Sequence, residues 1–304
     1  MYLWPFFTVD LEISNLCRQA CAFCPREAIS RQRGLMPAEL FETVAGRLLE
    51  SGAQVTLSGL GDPLSHPEWD HFLQSYRARG GEMGVQVSAA SLSPEEVERL
   101  IAAEPSFINL SLPSSSYGTL RRLLPGRDPA ELLRLALLLA ERCRRRVPLS
   151  IIGLRTGIET EAEQAGTVSF WRQRKVPVRL FDCHSRGGNL RERRLLGRSR
   201  STGLDRSCGL FARHAFITWQ GQLLACCQDL AGSTRLGDLE RDSIELLADR
   251  KRALTGRVPP FELCRGCDEP LRLLPLPQGP PPADRRQRSR YLRSLKSFTG
   301  DGFF

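Results

Sequence analysis

The stretch LEISNLCRQACAFCPRE, residues 11–27, follows the start of a predicted first strand and carries Cys17, Cys21 and Cys24. Three thiolates can hold three irons of a 4Fe-4S cluster, which leaves the fourth iron without a protein ligand and open to a small molecule. The alternative is a structural zinc site, which normally takes four closed ligands, often as matched C-x2-C pairs or with histidines. The triplet therefore favours a reactive cluster over zinc.

This C-x3-C-x2-C loop resembles that of the radical SAM superfamily, and Phe23 stands where members commonly carry an aromatic residue before the third cysteine. The resemblance implies that S-adenosylmethionine chelates the open iron through its amino and carboxylate groups. It further implies that reductive cleavage of this cofactor releases a 5'-deoxyadenosyl radical. A cellular reductant such as flavodoxin or ferredoxin would then be a partner.

The length and composition of the chain indicate a globular protein. Its 304 residues, 41% of them hydrophobic, can supply the core of one large domain, or of a medium domain with a small appendage. Residues 1–7, MYLWPFF, lead into Asp10 and Glu12 without a basic start or a cleavage site, so no signal peptide is expected. The most apolar stretch, residues 132–140, is too short to cross a bilayer and contains Arg134. We therefore predict a cytoplasmic protein without a membrane partner.

Ten cysteines in a chain without an export signal are expected to be reduced, which favours metal or cluster ligation over disulfides. The net charge of +9 is read mainly as a solvated surface. A basic segment at residues 285–296 follows a proline-rich stretch at 275–282, which predicts a linker and tail over residues 272–304. Aromatic residues are sparse in this segment, so nucleic-acid binding is not expected.

Strand-like and helix-like runs alternate from residue 7 to about residue 185. The predicted strands are residues 7–14, 54–58, 84–88, 107–112, 149–154 and 177–182. Ser93 with Glu96, and Asp128 with Glu131, each place an N-cap and a capping-box glutamate around a first-turn proline. The pattern predicts an α/β fold with a parallel sheet. It matches the partial (β/α)6 TIM-like barrel that the resemblance implies, over residues 1–200, although a doubly wound sheet has the same alternation.

Four further cysteines stand beyond residue 205, at Cys208, Cys226, Cys264 and Cys267. Two short strands, residues 215–219 and 222–225, are predicted around Gln220-Gly221, with a helix following over residues 243–254. The spacing C-x12-G-x4-C with a later C-x2-C resembles the twitch form of the SPASM extension. That resemblance implies a small C-terminal α+β domain, residues 201–271, holding a closed auxiliary 4Fe-4S cluster on these cysteines. A four-cysteine zinc site is the competing interpretation.

Three cysteines remain outside both sets. Cys227 adjoins a predicted ligand, but neighbouring strand residues point to opposite faces, so Cys226 is preferred. Cys143 is expected to be a small buried apolar residue within a helix. Cys183 ends the sixth strand, at the barrel end where substrate is expected.

Candidate cofactor contacts follow the predicted strands. The run Gly59-Leu60-Gly61-Asp62 resembles the family's GGEP motif, which implies contact with the amino group of S-adenosylmethionine, although Leu60 and Asp62 replace the usual glycine and glutamate. Three further candidates end the third, fourth and fifth strands, and Arg155 among them offers a bidentate partner for a carboxylate. They are Ser88, Ser111 and Arg155. No catalytic acid or base is assigned.

The two cluster motifs together predict hydrogen abstraction from a substrate C–H bond, with net oxidation because an auxiliary cluster can accept an electron. A small alcohol or amino sugar undergoing dehydrogenation fits this scheme. The alternative is a ribosomally made peptide, which a separate partner would have to deliver, because a first strand at Phe7 leaves no room for a preceding recognition domain. A non-catalytic iron-sulfur carrier or basic zinc protein is the remaining alternative.

Overall fold

The computed structural model describes residues 8–190, 207–257 and 261–274. The expected domain boundary between residues 200 and 201, and the linker and tail from residue 275 onward, lie outside the described residues. Residue 7, where the first strand was expected to begin, lies outside them as well.

A single nine-stranded sheet organises the described chain, with strand order β6-β5-β4-β3-β2-β1-β7-β8-β9. The strands are β1 Thr8–Leu11, β2 Gln54–Leu57, β3 Met83–Ser88, β4 Ile108–Ser111, β5 Leu149–Arg155, β6 Val178–Asp182, β7 His214–Ile217, β8 Gln222–Leu224 and β9 Arg235–Asp238. All six predicted barrel strands are confirmed, with shorter ends in several cases. Strands β1 to β6 pair in parallel in sequence order, whereas a doubly wound sheet reverses its order at a switch point. The sequential order is that of an open barrel, so the doubly wound alternative is wrong.

Nine α-helices are present in the described residues, and six of them begin at an N-cap whose side chain accepts a backbone hydrogen bond. The nine helices are α1 Ala38–Ser51, α2 Trp69–Ala78, α3 Pro94–Ala102, α4 Tyr117–Leu123, α5 Pro129–Cys143, α6 Glu161–Arg172, α7 Gly209–Arg213, α8 Ile244–Leu254 and α9 Glu262–Arg265. The predicted N-caps Ser93 and Asp128 are confirmed by hydrogen bonds that their side chains accept from backbone amides. The reciprocal capping box predicted with Glu96 and Glu131 is found at a different helix, between Thr160 and Glu163. No helix in the described ranges is long and apolar enough to span a membrane.

Strand β1 shows how the barrel separates its core from its cavity. Val9 and Leu11 are fully buried in the main hydrophobic core, which also contains Phe41 of α1. Because successive strand residues point to opposite faces, Asp10 lies on the other face of the sheet, where it lines the central cavity. The alternation therefore places a carboxylate inside the barrel without exposing its core.

The C-terminal strands continue the barrel sheet. Strand β7 pairs in parallel with β1, with Thr8 opposite His214, although the two residues are far apart in the sequence. Strands β7 and β8 form the predicted antiparallel hairpin, one that is shorter than expected, and Gly221 in its turn has a positive φ of 76°. The helix predicted over residues 243–254 is confirmed as α8, and Ser243 is its N-cap. The cysteine-rich segment is thereby fixed against the first strand of the barrel.

Candidate functional site

A cavity of about 330 Å³ lies at the carboxyl ends of the barrel strands. The expected cofactor and cluster residues that line it are Cys17, Cys21, Phe23, Cys24, Gly59, Leu60, Gly61, Asp62, Ser88 and Ser111. They come from the ends of four different strands, which is where a barrel of parallel strands gathers its functional groups. Of the predicted residues around this cavity, Arg155 alone is missing from the described lining.

The cysteine triplet forms a compact loop at the cavity wall. The Cys24 amide donates to the Cys21 carbonyl at 3.0 Å, and Arg26 donates to the carbonyl of Cys17. Burial, followed by the neighbouring Cys24 and Cys17 groups, raises the pKa of Cys21 to about 12. Thiols held together in a low dielectric lose their protons readily only to a metal, so this donor set fits a cluster with soft thiolate ligands.

Glu12, which the sequence did not single out, supports the glycine-containing loop. Its buried Oε2 accepts hydrogen bonds from the Leu60 amide at 3.0 Å and from Arg31 at 2.7 Å. Gly59 packs directly on this side chain, because a Cβ at Gly59 would lie 2.6 Å from Cγ of Glu12. The sequence places Glu12 within the predicted first strand, residues 7–14, and offers no other signal for this role.

Asp62 also holds the loop together. One of its carboxylate oxygens accepts from the Leu64 amide at 2.9 Å, and the other accepts from the Ser88 amide at 3.0 Å. Burial raises the pKa of Asp62, and these hydrogen bonds oppose the increase. Both oxygens are therefore engaged by the backbone, which links the end of β2 to the end of β3.

Gly61 lies in the same loop, where there is no space for a larger side chain. An alanine Cβ at this position would lie 2.4 Å from the Leu16 carbonyl oxygen and 2.5 Å from that of Ser14, directly before the cysteine triplet. Because backbone atoms cannot yield as a flexible side chain can, we expect Gly61→Ala to destabilise the protein by about 1–3 kcal/mol and to weaken S-adenosylmethionine binding at least tenfold. Thermal unfolding and equilibrium binding measure the two effects.

Gly166 provides a matched control within α6, because a Cβ there meets nothing within 4 Å. Gly166→Ala is expected to leave cofactor binding unchanged and to raise stability by up to about 1 kcal/mol, since alanine favours a helix interior. Equal losses of binding in the two variants would contradict the role of close packing at Gly61.

The three cofactor candidates at the ends of β3, β4 and β5 do not all face the cavity. Ser88 and Ser111 line the cavity, and Ser88 Oγ also accepts from the Ala90 amide at 3.2 Å. Arg155 Nε instead donates to Asp182 Oδ1 at 2.7 Å, and Asp182 is the member of this pair that lines the cavity. The predicted contact between Arg155 and a cofactor carboxylate would have to compete with this ion pair, and it stays a prediction.

A second, small cavity of about 20 Å³ brings the later cysteines together. Its cysteine lining is Cys208, Cys226, Cys264 and Cys267. Burial is the main cause that raises the pKa of Cys264 to about 12 and that of Cys267 to about 11, so the donor set again suits a metal cluster. Cys227 lines the barrel cavity instead, and the assignment of Cys226 as a ligand stays a prediction.

Cys143 and Cys183 differ in their surroundings. Cys143 is buried in α5 and belongs to the main hydrophobic core, as expected. Cys183 is also buried but lines the barrel cavity, and burial raises its pKa to about 11. Neither lines the four-cysteine cavity.

Lys251 places a buried amino group beside the four-cysteine cavity, and no motif in the sequence marks it. Its Nζ donates to the carbonyls of His214 at 2.8 Å and Ala225 at 2.7 Å, and lies 4.0 Å from the ring centroid of Phe211. Burial lowers the pKa of Lys251 to about 7, while negative charge on Cys226 acts in the opposite direction. A thiolate-bound cluster would supply compensating negative charge at this site.

The two cavities share a wall made by Gln228 and Glu269, which line both of them. Gln228 Nε2 donates to Glu269 Oε2 at 2.6 Å, and His184 Nε2 donates to the same oxygen at 2.9 Å. The Ser185 amide and hydroxyl donate to Asp268 at distances of 2.6–3.0 Å. These contacts fix the end of β6 against the segment that carries Cys264 and Cys267.

An open α/β barrel with a three-cysteine loop, joined to a second site of four cysteines, defines a class of iron-sulfur proteins with one open and one closed cluster. The family model of the radical SAM superfamily matches residues 11–165, and that of an iron-sulfur cluster-binding domain, SPASM, matches residues 208–268. The chain belongs to the radical SAM superfamily. Its cofactors are a 4Fe-4S cluster with S-adenosylmethionine and an auxiliary iron-sulfur cluster, so the structural zinc alternatives are set aside.

Solved structures share this fold at low sequence identity. BtrN in complex with AdoMet and 2-DOIA is 16% identical with a TM-score of 0.57, over 87% of this chain and 93% of that chain. Streptococcus suis SuiB bound to precursor peptide SuiA is 16% identical with a TM-score of 0.66, over 86% and 71%. Native anSMEcpe with bound AdoMet is 14% identical with a TM-score of 0.62, over 96% of each chain. No curated protein sequence matches the chain.

Proposed function

We propose that this radical SAM enzyme oxidises a small alcohol or amino sugar by two electrons. Cys17, Cys21 and Cys24 would hold the cluster that binds S-adenosylmethionine. The second set, lining the smaller cavity, would hold the auxiliary cluster: Cys208, Cys226, Cys264 and Cys267. When bound and reduced, the first cluster and its cofactor supply an oxidant that removes a hydrogen atom from an unactivated C–H bond.

The observation that carries the proposal is the wall of Gln228 and Glu269 between the two cavities. A substrate that has lost a hydrogen atom must still lose one electron and one proton to become a carbonyl or imine. The shared wall gives the electron a short route to an acceptor, and Gln228 and His184 hold Glu269 in place there. Net oxidation follows more naturally from this arrangement than return of the hydrogen atom.

The size of the barrel cavity favours a small substrate. Small-molecule sites typically have volumes of about 300–1,000 Å³, and the cavity that the described residues line has a volume of about 330 Å³. The complex of BtrN with AdoMet and 2-DOIA, which has the same fold, supports this choice. The precursor peptide bound to SuiB supports a peptide substrate as the second candidate.

Anaerobic reconstitution followed by turnover tests the proposal. We expect about eight irons and eight sulfides per chain and, with a flavodoxin or ferredoxin system, release of 5'-deoxyadenosine. We would test a panel of polyols and amino sugars deuterated on carbon. The true substrate should transfer one deuterium to 5'-deoxyadenosine, and mass spectrometry should show that its product has lost two hydrogen atoms, one of them as deuterium. A product of unchanged mass would contradict oxidation, and modification of a co-supplied peptide alone would favour the second candidate.

The same proposal implies an electron donor and a cellular location for the enzyme. An electron donor must reach the first cluster from outside the chain, so flavodoxin or ferredoxin is the proposed partner. Reduced cysteines and oxygen-sensitive clusters suit the cytoplasm, which is the proposed location. No role for nucleic acid or a membrane is included.

A further inference from the structure

Asp10, His214 and Cys227 form a cluster of donor atoms that neither iron-sulfur site uses. A carboxylate oxygen, an imidazole nitrogen and a thiol sulfur of these residues all lie within 4.8 Å of one another. Asp10 stands on β1, His214 begins the neighbouring β7, and Cys227 follows β8. The parallel pairing of β1 with β7 therefore creates this donor cluster, from residues that no local motif connects.

The imidazole of His214 is oriented for one more contact. Its Nδ1 lies 2.9 Å from Thr8 Oγ1, while its buried Nε2 has no hydrogen-bond partner within the described residues. The nearest carboxylate oxygen, Asp10 Oδ2, lies 3.4 Å from Nε2. If Nδ1 carries the proton and donates to Thr8, Nε2 presents its lone pair to the donor cluster, as in histidines that bind metals.

Asp10 differs from the other carboxylates that line the cavity. Asp62 is held by backbone amides, Asp182 by Arg155, and Glu269 by His184 and Gln228. The polar groups described beside Asp10 are those of His214 and Cys227, and Asp10 and Cys227 both line the cavity. The least engaged acid of the cavity thus belongs to the donor cluster.

We propose that Asp10, His214 and Cys227 bind one divalent metal ion of borderline softness, Zn²⁺ or Fe²⁺. Nitrogen, sulfur and carboxylate donors together suit such an ion rather than Mg²⁺ or Ca²⁺. Tetrahedral coordination with bonds of about 2.0–2.1 Å separates two ligand atoms by roughly 3.3 Å, close to the 3.4 Å between His214 Nε2 and Asp10 Oδ2. Three protein ligands leave a fourth position open towards the cavity, as in catalytic metal sites.

The role of this metal rests on the proposed function. A hydroxyl or amine of the substrate at the open position would have a lowered pKa and release its proton to solvent. The adjacent carbon then loses a hydrogen atom to the cofactor-derived oxidant and one electron to the auxiliary cluster. In total the substrate loses one proton, one hydrogen atom and one electron. This loss converts an alcohol to a carbonyl without a separate general base.

Zinc binding to the reconstituted enzyme tests the site directly, with Zn²⁺ alone as the probe. After equilibrium dialysis against buffered Zn²⁺, we expect about one zinc per wild-type chain beside an unchanged iron content. Asp10→Asn, His214→Gln and Cys227→Ser should each weaken zinc binding at least tenfold. Zinc-edge X-ray absorption should show one sulfur together with nitrogen and oxygen ligands.

Cys183→Ser is the matched control, because Cys183 lines the same cavity but lies outside the donor cluster; it should bind zinc like the wild type. Asp10→Asn is nearly isosteric, and its iron content reports whether the fold is intact. Absence of zinc, equal binding by all variants, or a spectrum of four sulfurs would overturn the proposal. Zinc binding without oxidation of any polyol or amino sugar would retain the metal site and reject the substrate class.

Discussion

Replacing Cys17, Cys21 and Cys24 together with alanine is expected to reduce 5'-deoxyadenosine release to the level without enzyme and to leave about four of eight irons per chain. The three thiols line the barrel cavity beside the glycine-containing loop, and the later cysteines line a different cavity. Under the proposed assignment, removing the first set would remove the group that binds the cofactor and spare the auxiliary site. Iron and sulfide analysis with chromatographic detection of 5'-deoxyadenosine measures both outcomes.

Cys143→Ser is the control for this triple variant. Cys143 ends α5, is buried in the main hydrophobic core and lines neither cavity. Its replacement should therefore leave the iron content and 5'-deoxyadenosine release unchanged, despite some loss of stability. Cofactor cleavage that persists in the triple variant would show that the open cluster lies elsewhere.

The barrel strands were predictable because their signals are local. Apolar strands alternate with helices, and the N-caps of two of these helices, Ser93 and Asp128, can be recognised from the sequence. The pairing of β1 with β7 was not predictable, because nothing near Thr8 indicates that His214 will be its partner. Periodicity reports which face of an element is buried, but it does not report which element covers that face.

The same distinction applies to the candidate site. Cys17, Cys21 and Cys24 stand at fixed short offsets, so a motif could reveal them. Glu12 and Lys251 support the loop and the second cavity through contacts to residues distant in sequence, and no spacing rule marks them. Arg155 shows the converse, because its expected freedom to bind a carboxylate is limited by Asp182 on the next strand.

Alanine at both Cys264 and Cys267 is expected to separate cofactor cleavage from substrate oxidation. Both residues line the four-cysteine cavity and neither lines the barrel cavity, so the binding site for S-adenosylmethionine should remain. We expect 5'-deoxyadenosine release to continue while oxidised product falls at least about 100-fold, a rate loss equivalent to about 2.7 kcal/mol of barrier, since the proposed electron acceptor is lost. The ratio of product to 5'-deoxyadenosine, measured together with iron content, reports the effect.

The wall between the cavities explains why this ratio is the decisive quantity. Glu269 faces both cavities and stands two residues after Cys267. Under the proposed function, loss of the second cluster would change the electron's destination while the barrel lining stays in place. Cys183→Ser, which alters a cysteine of the barrel cavity only, should retain about four more irons than the double variant. Full product formation by the double variant would remove the auxiliary cluster from the electron path, and the oxidation would then need an acceptor outside this chain.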